Sequence, residues 1–360
     1  MTSGIACNTR CLISPLSGVQ RYTMELLARF GDAVTPCAPS RRLSAVRGHL
    51  WEQIVLPRRT HGSLLWSPAN TGPLAVAEQV VTLHDMAALE HPEWVSRKFA
   101  ALYGYLLPRL ARKVRHVLTI SQFSKERILA CTGIAEQRVT VIANGVDARF
   151  APASELEQAE VRGLLGIGDR RYVLSLGSLE PRKNLSTLLQ AWQRLADRLP
   201  SDVWLVLAGA KGNEAIFRHV PSLDSVPPRV LLAGHVEDRL LPALYSAAEC
   251  FVYPSLYEGF GMPPLEAMAC GCPVVVSRLA SLPEVCEDAA AYCEAGDPCD
   301  LASIVRRLYD DGGLRLHMRQ VGLARAANFR WMGCAARHIQ YLEQLLCSDI
   351  KLEKTSMGVS

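Results

Sequence analysis

The second half of the chain alternates short apolar runs with segments of helical periodicity, and this alternation limits the possible folds more than any other feature. Tyr172–Leu176, Val203–Leu207, Val230–Ala233, Cys250–Tyr253 and Val274–Ser277 are of strand length, and Gly177, Gly209, Gly234 and Pro254 punctuate them. Between the first two runs, Leu185, Leu188, Leu189, Trp192 and Leu195 share one helical face, with Asn184 placed as its N-cap. Leu241, Leu244, Tyr245 and Ala248 make a second helix capped by Asp238, and a third covers about Pro264 to Ala269. Strands alternating with helices in this way predict a parallel, doubly wound α/β sheet.

The first half repeats the pattern more faintly. Leu64–Trp66, Val80–Leu83, Val117–Ile120 and Val139–Ile142 read as strands, and Tyr22, Leu26, Leu27 and Phe30 mark a helix from Ser17 to Phe30. A long basic helical region runs from Ser96 to Arg115, interrupted at Pro108. A chain of 360 residues suits two domains. The expected division is 1–165 and 166–330, with the linker in the polar stretch 151–170. A C-terminal helix at 331–348 is expected to pack back on the first domain. Ligands of such sheets bind beyond the carboxyl ends of the strands, and two doubly wound domains facing each other form a cleft for one.

Composition removes several alternatives. With 49% hydrophobic and 21% charged residues, each half can bury a core. A net charge of +4 gives no reason to expect nucleic acid. No run approaches the roughly 18 apolar residues of a membrane span, and 1–10 has no apolar run of a leader, so the expected location is the cytoplasm. The 12 cysteines include no CxxC pair, and Cys286, Cys293 and Cys299 match no zinc-ligand spacing.

The strongest local signal is Ser255-Leu-Tyr-Glu-Gly-Phe-Gly-Met-Pro-Pro-Leu-Glu-Ala-Met268, which follows a strand and opens a helix. Gly259 and Gly261 let backbone pass close to a ligand, and Pro263 and Pro264 suit a helix start. A helix N-terminus favours phosphate, and carboxylates such as Glu258 in the loop and Glu266 in the first helical turn bind sugar hydroxyls. Each glutamate alone is equally compatible with an ordinary turn and a helix-dipole partner.

This segment resembles the E-x7-E motif of the family 4 glycosyltransferases, which have the GT-B fold. Gly177-Ser-Leu-Glu-Pro-Arg-Lys-Asn184 resembles the family's diphosphate loop. Met268-Ala-Cys-Gly-Cys-Pro-Val-Val275 and Ser281-Leu-Pro-Glu-Val285 resemble blocks that follow. His84-Asp85, Ser121-Gln-Phe-Ser-Lys125 and Asn144-Gly-Val-Asp147 resemble its N-terminal half. The resemblance is nearest to bacterial O-antigen and capsule mannosyltransferases. It implies two Rossmann-like domains facing a cleft, 1–165 as the acceptor domain and 166–330 as the nucleotide-sugar-binding domain, and a retaining transfer in which the leaving phosphate takes the acceptor's proton.

Residue by residue, the resemblance implies that Lys183, with Arg182, neutralises the donor diphosphate. In many members an arginine follows the glycine; here Ser178 holds that place, and Arg182 is the substitute. Glu258 is implied at the donor sugar, Glu266 at the nucleotide ribose, and Gly259, Phe260, Gly261, Met262 and Leu265 along the donor. His84, at a strand end, is implied to face the donor sugar. Asp85 either orients His84 or touches the acceptor. Gly18, in Ser17-Gly-Val-Gln-Arg-Tyr22, resembles the family's glycine loop near the donor phosphates. No DxD motif stands in a suitable loop, so no metal and no cofactor beyond a nucleotide sugar is expected.

The expected reaction moves a hexose, foremost mannose from GDP-mannose, onto a surface polysaccharide or a polyprenyl-diphosphate-linked acceptor. A rhamnosyltransferase using GDP- or dTDP-rhamnose is the near alternative, and an inactive sugar-nucleotide-binding module is one of another class. The helix bearing Arg97, Lys98, Arg109, Arg112, Lys113 and Arg115 is either a solvated face or a contact with an anionic membrane at the inner face of the plasma membrane.

Overall fold

A computed structural model describes residues 4–13, 18–177, 180–209 and 227–357. The chain divides into two compact units, Met1–Gly145 with Arg330–Ser360, and Val146–Phe329. Each holds one six-stranded, wholly parallel sheet.

In the first unit the strands are β1 (Ile5–Asn8), β2 (Val34–Cys37), β3 (Leu64–Ser67), β4 (Gln79–Thr82), β5 (His116–Thr119) and β6 (Val139–Val141), in the order β2-β1-β3-β4-β5-β6. The chain lays β2 on one side of β1 and then β3 on the other, so the winding reverses between β1 and β3. The helix Gly18–Phe30 buries Tyr22, Leu26 and Phe30. It packs with the final helix, Trp331–Met357, through a 2.7 Å hydrogen bond between Tyr22 Oη and His338 Nε2. The final helix is tied again where Tyr341 Oη meets His116 Nε2 at 2.8 Å. Its start explains Gly145, since a Cβ there would lie 2.2 Å from the Trp331 nitrogen.

The basic helix Arg97–Lys113 runs unbroken through Pro108, where the sequence predicts an interruption. Proline leaves the carbonyl four residues back without its helical donor. That carbonyl belongs to Gly104, an exposed residue with no side chain of its own to shield it from water. The helix starts on Ser96, whose hydroxyl accepts from the Phe99 amide.

In the second unit the strands are β7 (Arg171–Leu176), β8 (Val203–Ala208), β9 (Val230–Gly234), β10 (Cys250–Tyr253), β11 (Val274–Ser277) and β12 (Ala290–Cys293), ordered β12-β11-β10-β7-β8-β9. Here the reversal lies between β7 and β10. β10 and β11 are buried along their whole length, as parallel strands covered on both faces must be. The helix Leu185–Leu195 covers one face with Leu188, Leu189, Trp192 and Leu195, packed in one cluster with Val203, Leu205 and Val252. The polar stretch after Gly145, where the sequence suggests a linker, contains the helix Glu155–Leu164 and falls within this unit. Ser154 and Glu157 close that helix's N-terminus as a reciprocal capping box.

Candidate active site

The turn after β7 is stitched to the loop after β10. Pro181–Lys183 forms a single 3-10 turn. The Arg182 carbonyl accepts from the Leu256 amide at 2.7 Å and from Ser255 Oγ at 2.9 Å. Asn184 stands at the N-cap position that the sequence suggests, but it does not cap by the usual means. It adopts the left-handed conformation (φ 55°), and its side chain makes no cap. Its Nδ2 instead donates to the Pro254 carbonyl at 3.1 Å and to the Ala295 carbonyl. Asparagine serves here because it enters the left-handed region more readily than most residues. Gly209, at φ +88°, lets the end of β8 approach, since a Cβ would stand 2.9 Å from the Gly177 oxygen.

These stitches bring Lys183 and Arg182 against Glu258. Glu258 Oε1 accepts from Lys183 Nζ (2.6 Å), Ser255 Oγ (2.7 Å), Tyr253 Oη (2.9 Å) and Arg182 Nη1 (3.1 Å). Lys183 Nζ also bonds Tyr253 Oη. Burial pushes the Glu258 carboxyl up, but the charges of Lys183 and Arg182 prevail and bring it down to about 2. Burial pulls the Lys183 ammonium below its usual range, with Arg182 acting in the same sense and Glu258 against it. Arg182 also pairs with Glu180. Ser178 lies outside the described residues.

The loop backbone is held from behind. Ser281 Oγ is 2.9 Å from the Glu258 carbonyl and 2.8 Å from that of Phe260. Gly259 and Phe260 are buried, and Gly261 takes φ 104° at the N-cap of the helix Met262–Ala269. Pro263 and Pro264 carry no N–H, so Met262 alone among the first three helical residues offers an amide. Leu265 is fully buried. Glu266 falls in the second turn rather than the first; it is 4% exposed, with Tyr245 Oη 3.5 Å from Oε2. Sequence reading missed Tyr253, Ser255 and Ser281. Tyr253 ends an apolar strand and looks like core, while a serine hydroxyl has no pattern until its partner is known.

In the first unit, His84 follows β4 and is 7% exposed. Its Nε2 lies 2.8 Å from the Pro68 carbonyl and must carry the proton, since a carbonyl only accepts. Burial pulls the imidazole down to about 4, against that hydrogen bond, so it is neutral near pH 7. Its amide donates to Asn70 Oδ1 at 2.7 Å, and Ser124 Oγ donates to its carbonyl at 2.9 Å. The half-buried Asp85 accepts from the Ala87 amide. Gly18 opens its helix exposed, with open space where a Cβ would stand. Among the described residues, no group of three or more His, Cys, Asp or Glu is gathered to hold a metal ion.

Residues 158–325 match the family described as glycosyl transferases group 1, and residues 60–150 match glycosyltransferase family 4. The chain is 33% identical over 269 residues to the O-antigen chain mannosyltransferase B of Escherichia coli, covering 74% of this chain and 70% of that protein. It is 32% identical over 239 residues to the serotype-specific mannosyltransferase WbdA of Escherichia coli, covering 65% of this chain but 29% of that protein. The crystal structure of Anabaena Alr3699/HepE in complex with UDP and glucose superposes with a TM-score of 0.75 at 18% identity, over 95% of this chain and 99% of that one.

Proposed function

The chain belongs to the glycosyltransferases of group 1 and family 4, and from that premise we propose that it transfers mannose from GDP-mannose, with retention, onto a growing surface polysaccharide or lipid-linked oligosaccharide. The mannosyl part is supported by the relatives' own activities. One observation carries the mechanism: two cations and two hydroxyls share a single carboxylate oxygen in the β7/β10 crevice. That oxygen offers about two lone-pair sites, so four donors oversubscribe it. The surplus is what a diphosphate needs.

Lys183, with Arg182, neutralises the charge developing on the leaving diphosphate. As the phosphate oxygens draw off the cations, Glu258 is released to accept from the donor sugar's hydroxyls. Glu266, on the helix Met262–Ala269 that follows the loop, serves the ribose, and the backbone of Gly259 to Met262 and Leu265 lines the donor, with Gly18 approaching its phosphates. Neutral His84 faces the donor sugar, and Asp85 orients it or meets the acceptor. The leaving phosphate takes the acceptor's proton on the face it departs from, and no metal takes part. The helix Arg97–Lys113 exposes Phe99, Leu102 and Tyr105 among its cations, which favours peripheral contact with an anionic membrane at the cytoplasmic face. Among the described residues no helix is long and apolar enough to cross a membrane.

A thermal-shift panel of GDP, UDP, dTDP and ADP tests the donor. GDP at about 100 times its dissociation constant is expected to add ~2.7 kcal/mol of stability. A larger shift with another nucleotide overturns the GDP assignment. Turnover is expected to survive EDTA, and NMR of the product to show an α linkage; loss of turnover restored by Mg²⁺, or a β product, removes the mechanism.

A further inference from the structure

Among the described residues the His84 ring is hydrogen-bonded through one atom, Nε2, to the Pro68 carbonyl. A ring held through one atom can still tilt about that bond. Its second restraint is Tyr22, whose ring meets the imidazole edge to face, with centroids 4.7 Å apart and planes at 87°. Tyr22 lies on the helix Gly18–Phe30 and is 1% exposed. Whatever fixes Tyr22 therefore bears on His84.

The hydrogens around Tyr22 can be assigned one by one. His338 Nδ1 lies 2.8 Å from the Cys334 carbonyl, which only accepts, so Nδ1 carries a proton. Burial pulls the His338 imidazole down to about 4, so near pH 7 it is neutral and Nε2 bears a lone pair. Tyr22 Oη, 2.7 Å from that nitrogen, must donate to it. Burial pushes the Tyr22 hydroxyl well above its usual value, so the proton is there to give. Its one hydrogen spent, Tyr22 Oη accepts from Thr82 Oγ1 at 3.2 Å. Thr82 Oγ1 in turn accepts from Trp66 Nε1 at 3.1 Å, a group that only donates. The hydrogens thus run one way, from Trp66 through Thr82, Tyr22 and His338 to the Cys334 carbonyl.

Trp66, Thr82 and His338 are all fully buried or nearly so. None of them can turn without leaving a buried neighbour unpaired, and a fully satisfied buried network specifies a single arrangement. What the chain of polar groups adds to this core is one orientation for the Tyr22 ring. Its far end stands on the final helix, Trp331–Met357, whose Trp331 also packs edge-on against Tyr22 at 6.2 Å.

We propose that Tyr22 and His338 are positioning residues for His84: the final helix, acting through the Tyr22 hydroxyl, fixes the plane of the imidazole and hence the direction of its Nδ1 lone pair. That this direction matters to sugar transfer rests on the reading of His84 as facing the donor sugar; the restraint itself does not.

Two measurements on the full chain test this. Long-range ¹H–¹⁵N NMR reads the histidine rings, with the His84 signals assigned by their loss in His84→Ala. The native chain should show one set with the proton on Nε2. Tyr22→Phe, which keeps the ring but loses both bonds of the hydroxyl, should broaden or split it. His338→Asn, whose side chain reaches no further than Nδ1, should act like Tyr22→Phe, and His338→Gln, whose oxygen can replace Nε2, should restore the native signals; this pair serves if Tyr22→Phe fails to fold. In hydrolysis of GDP-mannose, which needs no acceptor, Tyr22→Phe should lower kcat by about tenfold or more while KM stays within about threefold. In the His84→Ala background it should cost nothing further. Unchanged His84 signals in a folded Tyr22→Phe or His338→Asn chain, no recovery with His338→Gln, or additive losses in the double variant would each overturn the proposal. A native chain whose His84 responds but which does not turn over GDP-mannose upholds the restraint and sinks the GDP-mannose reading instead.

Discussion

Between β7 and β10, two cations crowd one carboxylate oxygen; between β1 and β3, one cation faces one carboxylate. Both pairs sit where a parallel sheet reverses its winding, so topology supplies the location twice. Side chains then decide how firmly each carboxylate is held. In the second unit two cations, one of them also paired with Glu180, share Glu258 and can turn to an anion that displaces it. In the first unit one cation, Arg10, pairs with one carboxylate, Glu52, and among the described residues no other Lys or Arg is hydrogen-bonded to it. The same kind of ion pair is thus exchangeable in one crevice and fixed in the other.

Replacing the exchangeable cation should do most to break the contrast. Lys183→Ala is expected to lower kcat/KM by about 10²–10³-fold, the range for losing one preorganised charge stabiliser, and Arg182→Ala by less. Steady-state kinetics on both variants decides; the reverse order makes Arg182 the main clamp. Glu258→Gln should lower kcat by about 10²-fold yet tighten nucleoside diphosphate binding by roughly three- to tenfold, since the competitor for Lys183 is gone. Calorimetry showing weaker nucleotide binding would remove the exchange.

Acid should separate the units. His84, His116 and His338 are each held down to about 4, mainly by burial. Their folded pKa values lie below the unfolded one, so the stability they contribute is complete above about 6.5 and fades as pH falls toward 4. Glu258, at about 2, loses its contribution only as pH falls from the ordinary carboxyl value through 2. Hydrogen exchange by mass spectrometry at pH 7 and 5 should show protection falling by about 5 kcal/mol in the first unit, the sum over three histidines, and little change around β7 and β10. Equal loss in both units contradicts this. The smallest effect is expected from Tyr253→Phe, which removes the hydroxyl's bonds to Glu258 and Lys183, together worth about 1–2 kcal/mol; a change in kcat/KM beyond about thirtyfold would make Tyr253 more than a positioning group.

The sequence displays the second unit well, because strands buried on both faces leave unbroken apolar runs and the Ser255–Met268 loop is contiguous. The cluster around Glu52 draws on Asn8, Arg10 and Thr71, far apart in the chain and without a motif, so only the folded sheet reveals it. Asn184 is read correctly as the N-cap position, but not its conformation: asparagine is favoured both at N-caps and in left-handed backbone, and here it takes the latter. The stretch 151–170 reads as a linker because Ser154, Glu155 and Glu157 are polar, yet two of them build the capping box.

The first unit is discontinuous along the chain, since its final helix begins only after the second unit has ended. On the ribosome, at roughly 5–20 residues per second, that helix follows β6 by on the order of ten seconds. Throughout that interval Tyr22 lacks His338, His116 lacks Tyr341, and the helix Gly18–Phe30 lacks its helical partner. The second unit, contiguous in sequence, can close first. A nascent chain stalled before Arg330 should therefore present a protease-resistant 146–329 beside a first unit that chaperones still hold.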